Sequence, residues 1–148
     1  MGTMVYIVNV EAAIYKDNQW LIIRRSEKEE HAPGILSLVG GKVETDSATP
    51  NILEETIKRE ITEEGGITVT NHVNYLESKL FYSSKGEPVV DVVFLCEYQS
   101  GKLKLDTDEV SEAGWMTYAE ILSGTDSPEW LVESIKKAEK ARMESAKI

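Results

Sequence analysis

The sequence predicts an α+β plan, or a sandwich-like α/β one, in which a sheet packs against two helices. Three observations lead there. β-rich segments fill the first part of the chain and return after residue 66. One helical segment with an apolar stripe stands between them. A second amphipathic segment closes the chain, and separated blocks of strand and helix of this kind pack as layers around one core. The chain has 148 residues, 41% apolar and 28% charged, the composition of an ordinary globular protein. No repeat, low-complexity tract or linker interrupts it, so residues 1–148 are read as a single domain.

Val5–Tyr15 is β-rich, Lys16-Asp17-Asn18-Gln19 makes a turn, and Trp20–Arg25 is a second strand. A polar loop, Ser26–Pro33, is closed by Gly34, and the short apolar run Ile35–Val39 ends at Gly40-Gly41. After a polar stretch, Thr49-Pro50 signals a helix start with proline at the first helical position, and Asn51 with Glu54 offers a competing cap. The helix stops at Gly65-Gly66, where a left-handed terminus is cheap. Ile67–Thr70 and His72–Tyr82 read as two strands, Ser83–Pro88 as a hairpin-type loop, and Val89–Tyr98 as a strand buried on both faces. Lys102–Leu105 and Trp115–Thr117 add short strands, and Tyr118–Leu122 a turn or two of helix. Ser127 caps and Pro128 starts a final helix to Lys147, with Trp130, Leu131, Ile135 and Ala138 on one side.

The formal net charge of −10, without a basic stripe, argues against a nucleic-acid polymer as partner. It does not exclude a phosphorylated small molecule, because a metal reverses the local sign. Cys96 is the only cysteine and lies in an apolar run, so it reads as a buried thiol, and a reducing, cytoplasmic compartment fits. The start, MGTMVYIVNVEAAIY, resembles neither a signal peptide nor a membrane span.

The stretch KREITEEGG, Lys58–Gly66, gathers acids in the last turn of the central helix. Helix C-termini favour cations, so the acids need another explanation. On a wheel of about 100° per residue, Leu53, Ile57 and Ile61 form the apolar stripe. Glu64 falls almost on it, Glu60 beside it, and Glu63 at its edge. Like charges about 4 Å apart repel by about 4 kcal/mol at an effective dielectric near 20, so such a cluster calls for protons, basic partners or a cation. A hard divalent ion such as Mg²⁺ suits a few carboxylates plus substrate phosphates. A solvated acidic helix end is the plain alternative. The glycine pairs before and after the helix favour the metal, because glycine lets backbone oxygen approach a ligand.

These residues resemble the Nudix hydrolase superfamily, MutT-like members included, whose box reads G-x5-E-x7-R-E-U-x-E-E-x-G-U with U apolar. Arg59-Glu60-Ile61-Thr62-Glu63-Glu64-Gly65-Gly66-Ile67 matches its second half, and Gly40-Gly41-Lys42-Val43-Glu44 looks like its opening. Leu21–Arg25 resembles the family's strand ending in arginine, and Glu109 through Trp115-Met116 its late acidic loop and strand. One departure stands out: the segment from Gly41 to Arg59 is four residues longer than the pattern, and the first Glu position holds Asn51 or Ser47, depending on the direction of counting. An extra loop residue plus about one upstream helical turn would leave the later acids in phase.

The resemblance implies an α/β/α sandwich with a mixed central sheet and a Mg²⁺- or Mn²⁺-dependent pyrophosphohydrolase. Its substrate would be a nucleoside triphosphate or a nucleoside diphosphate derivative. It implies that Glu60 and Glu64 ligate the metal, with Glu63 a further ligand or close neighbour and the Gly40 carbonyl completing the set. Arg59 would orient a carboxylate, with Glu55, Glu44 or Asp46 as its partner. Glu109, or after it Glu112, would be the late ligand or general base. Arg25 or Arg24 would touch phosphates; only one can, because neighbours alternate faces on a strand. Tyr82 and Trp115 are candidates to stack on a base, Trp130 is read as packing, His31 as a loop residue and His72 as a strand-edge residue. A nucleotide-binding module without catalysis is the rival reading, supported by the missing first Glu. An exposed apolar edge would pair with a second copy as a homodimer.

Overall fold

The computed structural model describes residues 2–28, 34–105, 108 and 110–145. The expectations for His31, for Glu109, for residues 29–33 of the polar loop and for the end of the last helix at residues 146–147 lie outside the described residues.

Strand β1 (Ile7–Lys16) turns at Asp17, which takes a left-handed φ of 55°, into β2 (Gln19–Arg25). β3 (Leu36–Ser37) and β4 (Val39–Lys42) follow. Helix α1 (Ile52–Glu60) runs into a π-helical turn, Ile61–Gly65. β5 (Ile67–Tyr82) and β6 (Pro88–Gly101) form a long hairpin, then come β7 (Val110–Thr117), α2 (Tyr118–Ser123) and α3 (Glu129–Ser145). The sheet order is β3-β2-β1-β6-β5, with β4 pairing β1 and β7 pairing β2. β1 and β6 run parallel and the other pairs antiparallel, so the sheet is mixed.

Alternation along the strands builds two cores. Val10, Ala12 and Ile14 of β1 with Val92, Phe94 and Cys96 of β6 face Ile57 of α1 and Ile61 of the π-turn. Ala13, Val93 and Leu95 point the other way, against Ile121 of α2 and Leu131, Ile135 and Ala138 of α3. A period of two, applied to strands covered on both sides, therefore produces the α/β/α sandwich. Trp20 is buried in the second core and donates its indole N–H to Glu139, tying β2 to α3. Ser134 and Lys137 of α3 both hydrogen-bond Glu77 of β5, at 2.8 and 3.0 Å.

Several boundaries differ from the sequence expectation, each for a local reason. Pro50 and Asn51 form a turn, and α1 begins at Ile52. Asn51 has a left-handed φ of 55° and makes no side-chain cap, so the upstream helical turn is absent. Residues 67–82 are one strand, because register shifts at Thr68/Val69, Val69/Val73 and Tyr75/Glu77 absorb what reads as a break at Asn71. Lys102–Leu105 forms no strand. Its Lys104 N–H instead satisfies the Gly65 carbonyl at 2.8 Å, where the π-turn ends. β7 starts at Val110, five residues before Trp115, because β2 offers it a ladder along its whole length. The Ser127 hydroxyl is buried without a partner among the described residues, so it does not cap α3.

Candidate active site

A cleft of about 680 Å³ opens where β4 meets the π-turn, on the side of the sheet reached by the start of α3. Such a volume suits a nucleotide-sized ligand. Glu60 and Glu64 line one end; Asn9, Glu11 and Asp91 lie on its floor; Arg25, Lys42, Lys79 and Lys85 are spread around it. The lining is mixed in charge, with Glu44 and Glu87 beside these bases, so a cation held at the acidic end would be needed to turn the cleft toward an anionic ligand.

The acidic end is built by close backbone approach. A Cβ on Gly41 would stand 2.5 Å from the Glu60 carboxyl carbon and within 2.8 Å of both its oxygens. Only glycine leaves room for that carboxylate, which is 14% exposed. Glu64 is 4% exposed, and its Oε1 accepts the Gly40 N–H at 3.1 Å. β4 thus holds both carboxylates against the same two glycines. Arg59 approaches Glu60 at 3.5 Å, so its partner is the adjacent residue rather than Glu55, Glu44 or Asp46. Beyond the π-turn, Gly66 takes φ 72° with Lys104 packed against it.

Glu63 is exposed and does not line the cleft. The three-glutamate cluster read from a uniform wheel is therefore reduced to two. The π-turn lowers the rotation per residue beyond Ile61, which a constant-angle wheel ignores. Among the described residues, no group of three acidic, histidine or cysteine side chains forms a ready metal cage. The oxygen set still suits Mg²⁺, which binds through one or two carboxylates plus substrate phosphates rather than a closed protein cage. The Gly41 cradle that a Cβ would fill supports the same fit.

On the floor, Asn9 Nδ2 donates to Asp91 Oδ1 at 2.8 Å. Asp91 is fully buried, and Glu11 is hydrogen-bonded to it. Burial, then the hydrogen bond and charge of Asp91, push the Glu11 carboxyl well above its ordinary range. Sequence reading missed this group. The available signal was a charge interrupting an apolar strand: Glu11 between Val10 and Ala12, Asp91 within Val89–Val93.

Arg25 lines the cleft, whereas Arg24 points to the opposite side. Arg24 there donates to the Gly34 carbonyl at 2.9 Å and pairs with Glu112 and Asp126 at 3.4 and 3.3 Å. Glu112 is consequently a strand residue held by Arg24, not a loop acid at the cleft. Tyr82 is 63% exposed at the end of β5 and does not line the cleft. Trp115 packs edge-on against Tyr98 at 5.5 Å, and His72 is exposed on β5. Trp130, expected to be packing, is 38% exposed and lines the cleft, with Lys79 Nζ 5.5 Å from its ring centroid. Burial pushes the Cys96 thiol up to about 12, which leaves it unreactive. No helix among the described residues is long and apolar enough to cross a membrane.

The sequence profile of the NUDIX domain matches residues 5–137. The NAD-capped RNA hydrolase NudC of Photobacterium profundum is 31% identical over 109 residues, covering 74% of this chain and 37% of that protein. The chain thus spans little more than a third of that curated relative's length. A crystal structure of a MutT protein from Methanosarcina mazei Go1 superposes with a TM-score of 0.76 at 26% identity, covering 96% of this chain and 99% of that one. A MutT NUDIX hydrolase from Burkholderia pseudomallei gives a TM-score of 0.74 at 25% identity, covering 90% and 98%.

Proposed function

Because the chain belongs to the NUDIX domain family, we propose that it is a metal-dependent pyrophosphohydrolase of small nucleotide derivatives. The observation that carries this reading is the seating of Glu60 on Gly41 and of Glu64 on the Gly40 N–H, at one end of a cleft that Arg25, Lys42, Lys79 and Lys85 also line. Glu60, Glu64 and the Gly40 carbonyl would hold Mg²⁺ or Mn²⁺. When bound, the ion supplies neutralisation of phosphoryl charge and acidification of water. Arg59, 3.5 Å from Glu60, restrains that carboxylate in place. Arg25 at the cleft wall binds a phosphate of the substrate and holds the anhydride in line. Glu63 is left out because it faces solvent. Glu109 keeps the candidacy that its place in the sequence gives it, as ligand or general base.

The substrate is read as a nucleoside triphosphate or a nucleoside diphosphate derivative rather than a polymer, on the strength of the net charge of −10. The lone buried Cys96 supports a cytoplasmic setting, and two cores on one sheet support a single domain. The edge strand β5, with Tyr75, Leu80 and Tyr82 exposed, supports a homodimer, which light scattering tests.

The absence of the first box acid, at Asn51 or Ser47, favours a second reading, a module that binds nucleotide without cleaving it. One screen separates the two. Nucleoside triphosphates, dinucleotides, nucleotide sugars and ADP-ribose are incubated with Mg²⁺ or Mn²⁺, and phosphate and nucleoside monophosphate release are measured. Release by the wild type supports the enzyme. Saturable binding without release supports the module.

A further inference from the structure

We propose that Lys79 is a substrate-binding cation at the far wall of the cleft, placed to take a phosphate that the substrate carries on its sugar, beyond the diphosphate at the metal end. The inference rests on the hydrolase reading and adds a specificity-determining residue to it.

Lys42, Asn9, Asp91 and Lys79 form one row across four strands. Asn9 stands opposite Lys42 in the β1–β4 ladder and opposite Asp91 in the β1–β6 ladder, and Asp91 stands opposite Lys79 in the β5–β6 ladder. All four residues line the cleft. Strands lie about 4.8 Å apart, so the three steps from β4 to β5 put the Lys79 backbone roughly 14 Å from that of β4. The glycines that seat Glu60 and Glu64 are therefore at one wall and Lys79 at the other. The third phosphate of a triphosphate is joined to the second through a single oxygen and stays near the metal end. A phosphate on the sugar lies several bonds further along the ligand and reaches the opposite wall.

The ammonium is fixed in place. Lys79 Nζ donates to the Ser134 hydroxyl at 3.2 Å, and that hydroxyl spends its own proton on Glu77 Oε2 at 2.8 Å. Ser134 is 1% exposed, so the anchor is shielded from water, and the Trp130 ring backs the ammonium with its centroid 5.5 Å away. Three carboxylates stand close by: Glu77 two residues back on β5, Asp91 across the β5–β6 ladder, and Glu11 hydrogen-bonded to Asp91. Among the described residues, Lys79 forms an ion pair with none of them and bonds a hydroxyl instead. An ammonium carries three N–H groups, and one is spent on Ser134. The others stand at the cleft wall, where phosphate oxygens accept them in charge-assisted hydrogen bonds. Because the cleft is mixed in charge, its long-range attraction for anions is weak, and tighter binding of a ligand with one added phosphate reports a local contact.

The test uses the full chain with Mg²⁺ and measures affinities by calorimetry. Nucleoside 5′-monophosphates, which are products in the proposed reaction, are compared with the 2′,5′- and 3′,5′-bisphosphates of the same nucleoside. The adenosine and uridine series are both run, so that the outcome does not hang on one base. In at least one series a bisphosphate is expected to bind at least about tenfold tighter than the monophosphate, the scale of a charge-assisted hydrogen bond. Lys79→Gln should bring that ratio close to one, Lys79→Arg should retain a preference, and Ser134→Ala should reduce it. The wild-type comparison does not depend on any variant folding. Bisphosphates that bind no tighter than monophosphates in both series, no measurable binding, or a preference that survives Lys79→Gln overturns the assignment; in the last case Lys79 is only a staple between β5 and α3. Mg²⁺-dependent diphosphate cleavage, assayed in parallel, keeps the failures apart: if cleavage persists, only the role of Lys79 is wrong; if it is absent, the hydrolase reading has failed.

Discussion

Glu60 presses its carboxylate onto the β4 backbone, one turn before the helix ends, with Arg59 3.5 Å away. Replacing it with glutamine keeps shape and hydrogen-bonding capacity but removes the charge. Glu60→Gln should therefore lower kcat by a factor of roughly 10³ or more at an unchanged melting temperature, the scale of losing a principal electrostatic group. Turnover and thermal unfolding measured on one preparation check both halves. The two arginines give a matched contrast. Arg25→Ala should raise KM, because Arg25 lines the cleft. Arg24→Ala should leave KM alone and cost about 1 kcal/mol of stability by freeing the Gly34 carbonyl. The inward placement of Glu60 and Glu64 was legible from their phase with Ile57 and Ile61. The exposure of Glu63 was not, because no residue type announces a π-turn. Glu11 and Asp91 were hidden by their apolar neighbours: a strand buried on both faces reads as one hydrophobic run, and its rare acids pass for interruptions.

At the scale of elements, the segment from β4 through the π-turn is a clamp whose jaws are glycine backbone and glutamate side chain. Gly41→Ala would place a methyl group 2.5 Å from the Glu60 carboxyl carbon. Activity should fall at least tenfold, with far less change in stability, because the flexible end of Glu60 moves before the core does. Ile57, fully buried under the clamp, behaves oppositely: Ile57→Ala should cost about 2–5 kcal/mol in denaturant unfolding. α3 is docked by polar contacts as well as by its core. Burial pulls the Glu77 carboxyl up, but hydrogen bonds from Ser134 and Lys137 outweigh it and leave the group below its ordinary value. A lowered folded value means that this contribution is full above the ordinary glutamate range, about 4.3, and is lost as pH falls through the folded value. Glu77→Gln should lower the melting temperature at pH 7, and the difference should shrink once the pH drops below that range. The terminal helix itself was legible from its stripe, whereas this staple was not, since it joins residues 57 positions apart.

Across the whole molecule, one sheet separates two tasks. One face buries α1 and leads to the clamp, while the other buries α2 and α3 and leaves an open end at Trp130. The cleft lies where the two meet. The layered plan was readable because alternation along β1 and β6 marks both faces. The joining of residues 67–82 into one bent strand was not, because bulges depend on the partner strand rather than on the sequence that bends. The central claim is that Glu60 and Glu64 bind a divalent cation together with a diphosphate. Calorimetric titration of Mg²⁺, with and without a methylene-bridged diphosphate analogue that cannot be cleaved, tests it most directly. The account predicts that the analogue tightens Mg²⁺ binding at least about tenfold, a coupling of about 1.4 kcal/mol, and that Glu60→Gln or Glu64→Gln removes the effect. Mg²⁺ affinity that is the same with and without the analogue, or coupling that survives both substitutions, would contradict it.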